Sequence, residues 1–261
     1  MQSAIDYCID QVREYDRDHF ICSLFVPKKF RHNYLVLYTF NIEVNNIIYN
    51  TNEAIVAFIR LKWWHEKIDT IYQNNLVTDN HNIVIALQYV IKSANIPLSL
   101  FKDYLNGYEQ MVGYTSYRNV EELEKIAVQT TVNLMKIIII ATTTIEHGDQ
   151  IAYHCGIAWH LMNNLRNAKY FQNKTLLLSN KLHQKLIVEK AESHIVTTVQ
   201  LAKSLKAIHI KLQAVLAGFY LKNMRKKKFN ILNGEIWSMS PIMQFKLLLH
   251  FFKVKFCKNL F

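Results

Sequence analysis

The chain has 261 residues, 51% of them hydrophobic and 20% charged, a composition that excludes a disordered polypeptide. Only six glycines and three prolines (Pro27, Pro97, Pro241) interrupt it. That is too few turn residues for a β-sandwich or a repeated βαβ fold, so an all-α fold in a single domain, 1–261, is expected. An excess of 31 basic over 20 acidic residues gives a formal charge of +11. This favours anionic partners such as anionic lipid, diphosphates or nucleic acid, while heavy use of Lys, Ile and Asn offers a compositional account of the same surplus.

Taken in chain order, Ser3 and Asp6 have the spacing of a capping box and predict a first helix to about Asp18. Pro27 breaks the chain, and apolar helical periodicity resumes from about Lys28 to Tyr49. A third helix spans about Glu53 to Tyr72 and carries Arg60, Trp63 and Trp64, with the tryptophans expected in the core. The polar stretch Asn74 to Asn82 reads as a loop. Helices follow near 83–94 and 98–112, the second entered after Pro97. Asn119, with Glu121 and Glu122 in the first turn, predicts the cap of a helix running to about Ile145. Its most apolar run, Val132 to Ile145, is interrupted by Lys136 and reads as a core helix, not a membrane span. Gly148 is expected to close that helix, and Asp149 to begin another through about Phe171. Val188 to Asn223 reads as one or two helices, Arg225 to Phe229 as a basic connector, and Pro241 precedes a final helix. No repeat or composition shift marks a second domain.

The four cysteines (Cys8, Cys22, Cys155, Cys257) form no CxxC pair and read as reduced core thiols. Acids at Asp6, Asp10 and Glu14, with no apolar core beside them, argue against a secretory signal or a transit peptide, so a cytoplasmic location is expected. No HExxH, Gly-rich phosphate loop or GxSxG elbow occurs, and the histidines lack metal-ligand spacing. The run Arg225-Lys226-Lys227-Lys228 reads as a solvated connector, so nucleic acid is not an expected partner.

The C-terminal segment allows two readings. Lys246, His250, Lys253 and Cys257 recur at i, i+4, i+7 and i+11, a narrow polar stripe beside a wide apolar face. Either the helix closes the domain as core, or 241–261 makes a peripheral membrane contact. In the second case the apolar face meets the lipid boundary while Lys246, Lys253, Lys255 and Lys258 reach anionic headgroups.

Three segments carry a resemblance. They are Tyr7 to Tyr49 (with REYDRDHFICSLFVPKKFRHNYLVLYTFNIEVNNIIY), Ser116 to Met135 (SYRNVEELEKIAVQTTVNLM) and Cys155 to Leu182 (CGIAWHLMNNLRNAKYFQNKTLLLSNKL). In order and spacing they resemble the squalene/phytoene synthase family, most strongly over 7–182. Within it, CSLFVPKKFR, TFNIEVNN, IRLKWWHEKIDTIY and YRNVEELEKIA look most like the branch that includes the mitochondrial assembly factor for respiratory complex I. The resemblance implies a single-domain, isoprenoid-synthase-like helical bundle around a central cavity, with Asn45 and Asn167 on helices that face it.

In the enzymes of that family, two acidic helices hold Mg²⁺ ions that neutralise the departing diphosphate. Carboxylates one turn apart share a helix face, and Mg²⁺ requires hard anionic oxygens. This chain departs at those positions. The first motif, Asp-Asp-x-x-Asp in the family, reads Asn45-Asn46-Ile47-Ile48-Tyr49, and the family's Arg before it is Ile42. In the second, Asn163 and Arg166 match, but the Asp positions are Asn167 and Phe171; beyond them Asn173-Lys174 replaces Gly-Arg and Ser179 replaces Pro. No Asp or Glu lies between Asp149 and Glu189. Amide oxygens bring no charge, so no metal cofactor is expected. Arg31, Arg60, Asn163 and Arg166 are candidates for holding an anionic ligand in the cavity, or for structural hydrogen bonds at helix ends. The resulting expectation is a non-catalytic binding or assembly factor, with respiratory complex subunits or a lipid-like ligand as partner. The alternative is an active, Mg-dependent isoprenyl diphosphate condensing transferase with an atypical site.

Overall fold

The structure, a computed structural model, describes residues 1–51, 53–73, 80–113, 117–145, 148–168, 180–202, 207–231 and 234–256. Among these residues there are helices and turns but no strand. The fold is all-α, as the scarcity of Gly and Pro predicts. The helices are α1 (Gln2–Tyr15), α2 (Arg17–Ser23), α3 (Arg31–Tyr49), α4 (Ala54–Tyr72), α5 (Asn82–Ala94), α6 (Leu98–Gly113), α7 (Val120–Ala127), α8 (Asn133–Thr142), α9 (Gly148–Arg166), α10 (Lys181–Leu201), α11 (Ile208–Lys226) and α12 (Pro241–Phe256). A π-helical segment, Val128–Val132, joins α7 to α8. The chain forms two compact units, Met1–Tyr114 with Asn133–Thr144, and Thr115–Val132 with Ile145–Phe261.

In the first unit, α3 is the central element and packs against α1, α5, α6 and α8. Phe40 of α3 meets Trp64 of α4 edge-on at 4.9 Å and Phe101 of α6 at 5.7 Å. Such pairs add about 0.5–1.5 kcal/mol each beyond their burial. Polar contacts fix the register. The Thr39 hydroxyl lies 2.9 Å from the Cys8 carbonyl of α1, and the Asn33 amide donates to the Ala141 carbonyl of α8 at 3.1 Å. Ser3 does not cap α1, which begins at Gln2, and Asp6 instead accepts from the Gln2 amide. The first helix also ends earlier than the periodicity implies. Asp16 leaves helical geometry and accepts from the His19 N–H, opening the separate α2.

In the second unit, α9 packs against α7, α10, α11 and the π-helical segment. Gly156 makes the last contact possible: a Cβ there would stand 2.7 Å from the Val132 Cα. Arg225 of α11 binds Glu192 of α10 with two hydrogen bonds of 2.9 and 2.7 Å. Gly148 opens α9 instead of closing the helix before it, and Asp149 sits in the first turn, where a carboxylate suits the helix dipole. The segment 188–223 is two helices, and α11 takes in Arg225 and Lys226.

One helical run among the described residues, Val120–Thr142, has the length and hydropathy of a membrane span, and 67% of its most apolar window is buried within the protein. Cys8, Cys22 and Cys155 are buried thiols. Burial pushes the Cys8 and Cys155 thiols up to about 12, so both stay protonated and unreactive. Cys257 lies outside the described residues, as do Ser116, Phe171, Asn173, Lys174, Ser179 and most of the loop expected over 74–82.

Candidate functional site

The first motif lies on the last two turns of α3. Asn45 is half-buried and makes two hydrogen bonds there. Its amide nitrogen donates to the Asn41 carbonyl one turn back at 2.8 Å, and its Oδ1 accepts the Tyr108 hydroxyl of α6 at 3.0 Å. One turn earlier the same pattern repeats, with the Tyr104 hydroxyl donating to Asn41 Oδ1 at 3.0 Å. Two asparagines at i, i+4 on α3 therefore face two tyrosines at i, i+4 on α6. Tyr104 is fully buried, and desolvation holds its phenol well above the ordinary range, so it remains a donor. Asn46 is exposed and accepts from the Asn50 amide at 3.3 Å, while Tyr49 is half-buried. Glu43, the one acid in the sequence between Asp18 and Glu53, stands close enough to Tyr7 of α1 to raise that phenol's pKa, after burial, and so lies on the α1 side of α3.

The second motif is at the C-terminal end of α9. The α-helix stops at Arg166, so Asn167 is not on the helix; it begins the following turn, its N–H closing the last ladder bond to the Asn163 carbonyl at 2.8 Å. Asn163 is half-buried. Arg166 donates to the Trp237 carbonyl at 3.2 Å, and its guanidinium lies over the Tyr220 ring at 5.2 Å. Phe171 is outside the described residues. Asn45 belongs to the first unit and Asn167 to the second.

The other arginines divide. Arg31 donates to the carbonyls of Leu24 and Val26, at 3.0 and 3.4 Å, and so braces the loop between α2 and α3. Arg60 is on the exposed side of α4, beside exposed Ile55, Phe58 and Ile59.

Sequence reasoning missed Tyr104, Tyr108 and His160. The matched i, i+4 spacing of Asn41/Asn45 and Tyr104/Tyr108 was the available signal for the tyrosines. His160 sits on α9 one turn before Asn163 and is buried; its Nδ1 is 3.1 Å from the Thr131 hydroxyl of the π-helical segment. Desolvation pushes its pKa down to about 4, so it is neutral at physiological pH. A second histidine contact joins α9 to α10, with His154 Nδ1 and His194 Nδ1 2.9 Å apart, and burial lowers both pKa values.

These groups do not suit Mg²⁺. Asn45 and Asn46 offer only uncharged amide oxygens, each already accepting one hydrogen bond, and neither motif presents a carboxylate. Among the described residues, no three His, Cys, Asp or Glu side chains converge as a metal site. The hydrogen bonds of Asn41 and Asn45 to Tyr104 and Tyr108 join α3 to α6.

Comparison with known proteins places this geometry in a family. A family model described as squalene/phytoene synthase matches residues 12–175. Among curated proteins, the chain is 27% identical over 165 residues to a Bos taurus protein named NADH dehydrogenase (ubiquinone) complex I, assembly factor 6, covering 63% of this chain and 49% of that protein. A Drosophila melanogaster homolog of the same factor is 22% identical over 254 residues, covering 85% of this chain and 76% of the fly protein. The chain thus spans about half the length of the mammalian relatives it matches. Among solved structures, a dehydrosqualene synthase superposes with a TM-score of 0.79 at 16% identity, over 100% of this chain and 98% of that one. A squalene synthase from Alicyclobacillus acidocaldarius superposes with a TM-score of 0.71 at 15% identity, over 87% of this chain and 95% of that one.

Proposed function

We propose that this chain, which belongs to the squalene/phytoene synthase family, is a non-catalytic member that acts as a binding or assembly factor for respiratory complex I. The observation that carries the reading is the fate of the first acidic motif. Asn45 spends its side chain on Tyr108 and the Asn41 carbonyl, where a catalytic member would need a charged metal ligand. The second motif agrees, with no acidic residue between Asp149 and Glu189. Uncharged amides bring no negative charge with which to hold the metal ions that would neutralise a departing diphosphate. Support for the assembly role comes from relatives that bear that name. We also take 1–261 as one domain of this type, since the likeness to the dehydrosqualene synthase extends over the whole chain.

The proposed partners are subunits of the complex or a lipid-like ligand, and the place of action is the membrane where the complex is assembled, with contact through 241–261. The hydrogen bonds made by Arg31 and Arg166 favour the structural role for both over anion binding. The test is depletion of the protein in its own cells, with assembled complex I and prenyl products both measured. A loss of assembled complex with unchanged prenyl products is expected, and the tagged chain should enrich subunits of the complex. An unchanged complex with a missing prenyl product would favour the transferase.

A further inference from the structure

The helix α12 has two apolar faces, and the protein uses only one. Met243 and Leu247 are buried; the Asn223 amide of α11 donates to the Met243 sulfur at 3.7 Å, and the half-buried His250 packs 6.0 Å from the Phe219 ring. On the opposite side, Ile242, Phe245, Leu248, Leu249 and Phe252 are 66%, 61%, 42%, 44% and 44% exposed. Single exposed apolar residues are ordinary, but five on successive turns of one helix face make a continuous patch that water does not favour. Lys246 and Lys253 are exposed along one edge of that face. The sequence adds Lys255 and Lys258, and no acidic residue follows Glu235.

We infer that the outward face of α12 is a docking surface for an anionic phospholipid bilayer. The face has the two parts such a surface recognises: a large apolar strip that enters the acyl boundary, and lysines whose long stems let the ammonium groups reach the headgroups. The charge also argues against a second copy of this chain as occupant. A two-fold contact through the same patch would set the lysine edges of both copies against each other. The inference deepens the membrane contact proposed above. It is tested on the purified protein alone, so its failure is separable from failure of the assembly role.

The experiment is sedimentation of the full chain with phosphatidylcholine vesicles, with and without phosphatidylglycerol, at low and high salt. Binding is expected only with the anionic lipid and should weaken with salt. Lys246→Glu with Lys253→Glu should lower the affinity about tenfold or more. Phe245→Asp with Leu249→Asp should abolish binding while leaving circular dichroism and elution volume unchanged, because both side chains are already exposed. Failure to sediment with anionic vesicles at low salt would overturn the inference, as would equal sedimentation of the variants. A dimer that the Phe245→Asp/Leu249→Asp variant dissolves, without vesicle binding, would assign the face to a second copy and overturn it too.

Discussion

Tyr108 donates its hydroxyl to the Oδ1 of Asn45 at 3.0 Å, so the first position of the acidic motif serves as an acceptor that joins α6 to α3. One turn away, Tyr104 does the same for Asn41. Tyr108→Phe and Asn45→Ala should each destabilise the protein by about 1 kcal/mol, and the double variant should lose less than the sum. A coupling energy of at least about 0.5 kcal/mol in a denaturant-melt cycle is expected; strict additivity would show that the contact carries no stability.

Restoring the acids should restore metal binding before chemistry. With Asp at positions 45, 46, 49, 167 and 171, calorimetric titration should detect Mg²⁺ or Mn²⁺ binding that the unmodified chain lacks. Tyr108 can still donate to a carboxylate, but Asn45→Asp loses the amide N–H that bonds the Asn41 carbonyl and sets an acceptor against it, so that substitution alone should lower the melting temperature. Equal metal affinity before and after the substitutions would mean that other ligands exist.

Acid should weaken the fold through two buried histidines. Burial pushes His160 down to about 4 and His209 down to about 3. In the unfolded chain both rings titrate near the ordinary value of about 6.5. Above that pH both states are neutral and the stability contribution is complete. As pH falls below it, the unfolded state gains protons that the folded state refuses, and stability declines until the folded rings titrate near the cited values. Between about pH 7.5 and about pH 5.5 each ring should cost roughly 1.4 kcal/mol, read from urea midpoints. The decline should be shallower in His209→Gln and in His160→Gln; an unchanged slope would contradict the assignment.

Two helical glycines should respond to alanine with opposite signs. At Gly156 the new Cβ would meet the Val132 backbone at 2.7–2.9 Å, so α9 must retreat from the π-helical segment. Gly156→Ala should cost about 1–3 kcal/mol despite its better helix propensity. At Gly218 the nearest atom is the Ile195 Cγ2 at 3.7 Å, ordinary contact, so Gly218→Ala should gain up to about 1 kcal/mol. Thermal melts of the two variants measure both.

Much of the helical framework was legible because its boundaries carry strong local chemistry. Pro97 precedes α6, Pro241 begins α12, and the Asn119 side chain caps α7 by accepting from the Glu122 N–H at 2.9 Å. The family was legible from ordered segments for the same reason, since motif spacing survives when individual residues change. The division into two units was not. One of the three crossings between them, at Val132 and Asn133, lies inside a continuous helical run with no Pro or Gly to mark it. The end of α9 at Arg166 was likewise hidden, because the sequence around Asn167 has no breaker. The tyrosines opposite Asn41 and Asn45 are 63 residues away in the chain, so their i, i+4 spacing gains meaning only once α3 and α6 are seen to pair.

The central claim is that the catalytic charge of the family has been lost, and released diphosphate measures it most directly. The purified 261-residue chain is incubated with farnesyl diphosphate, with and without Mg²⁺ or Mn²⁺. The account predicts release no greater than in a protein-free control, with either metal. Metal-dependent release by the unmodified chain, abolished by Asn45→Ala, would contradict it and assign the motif to catalysis.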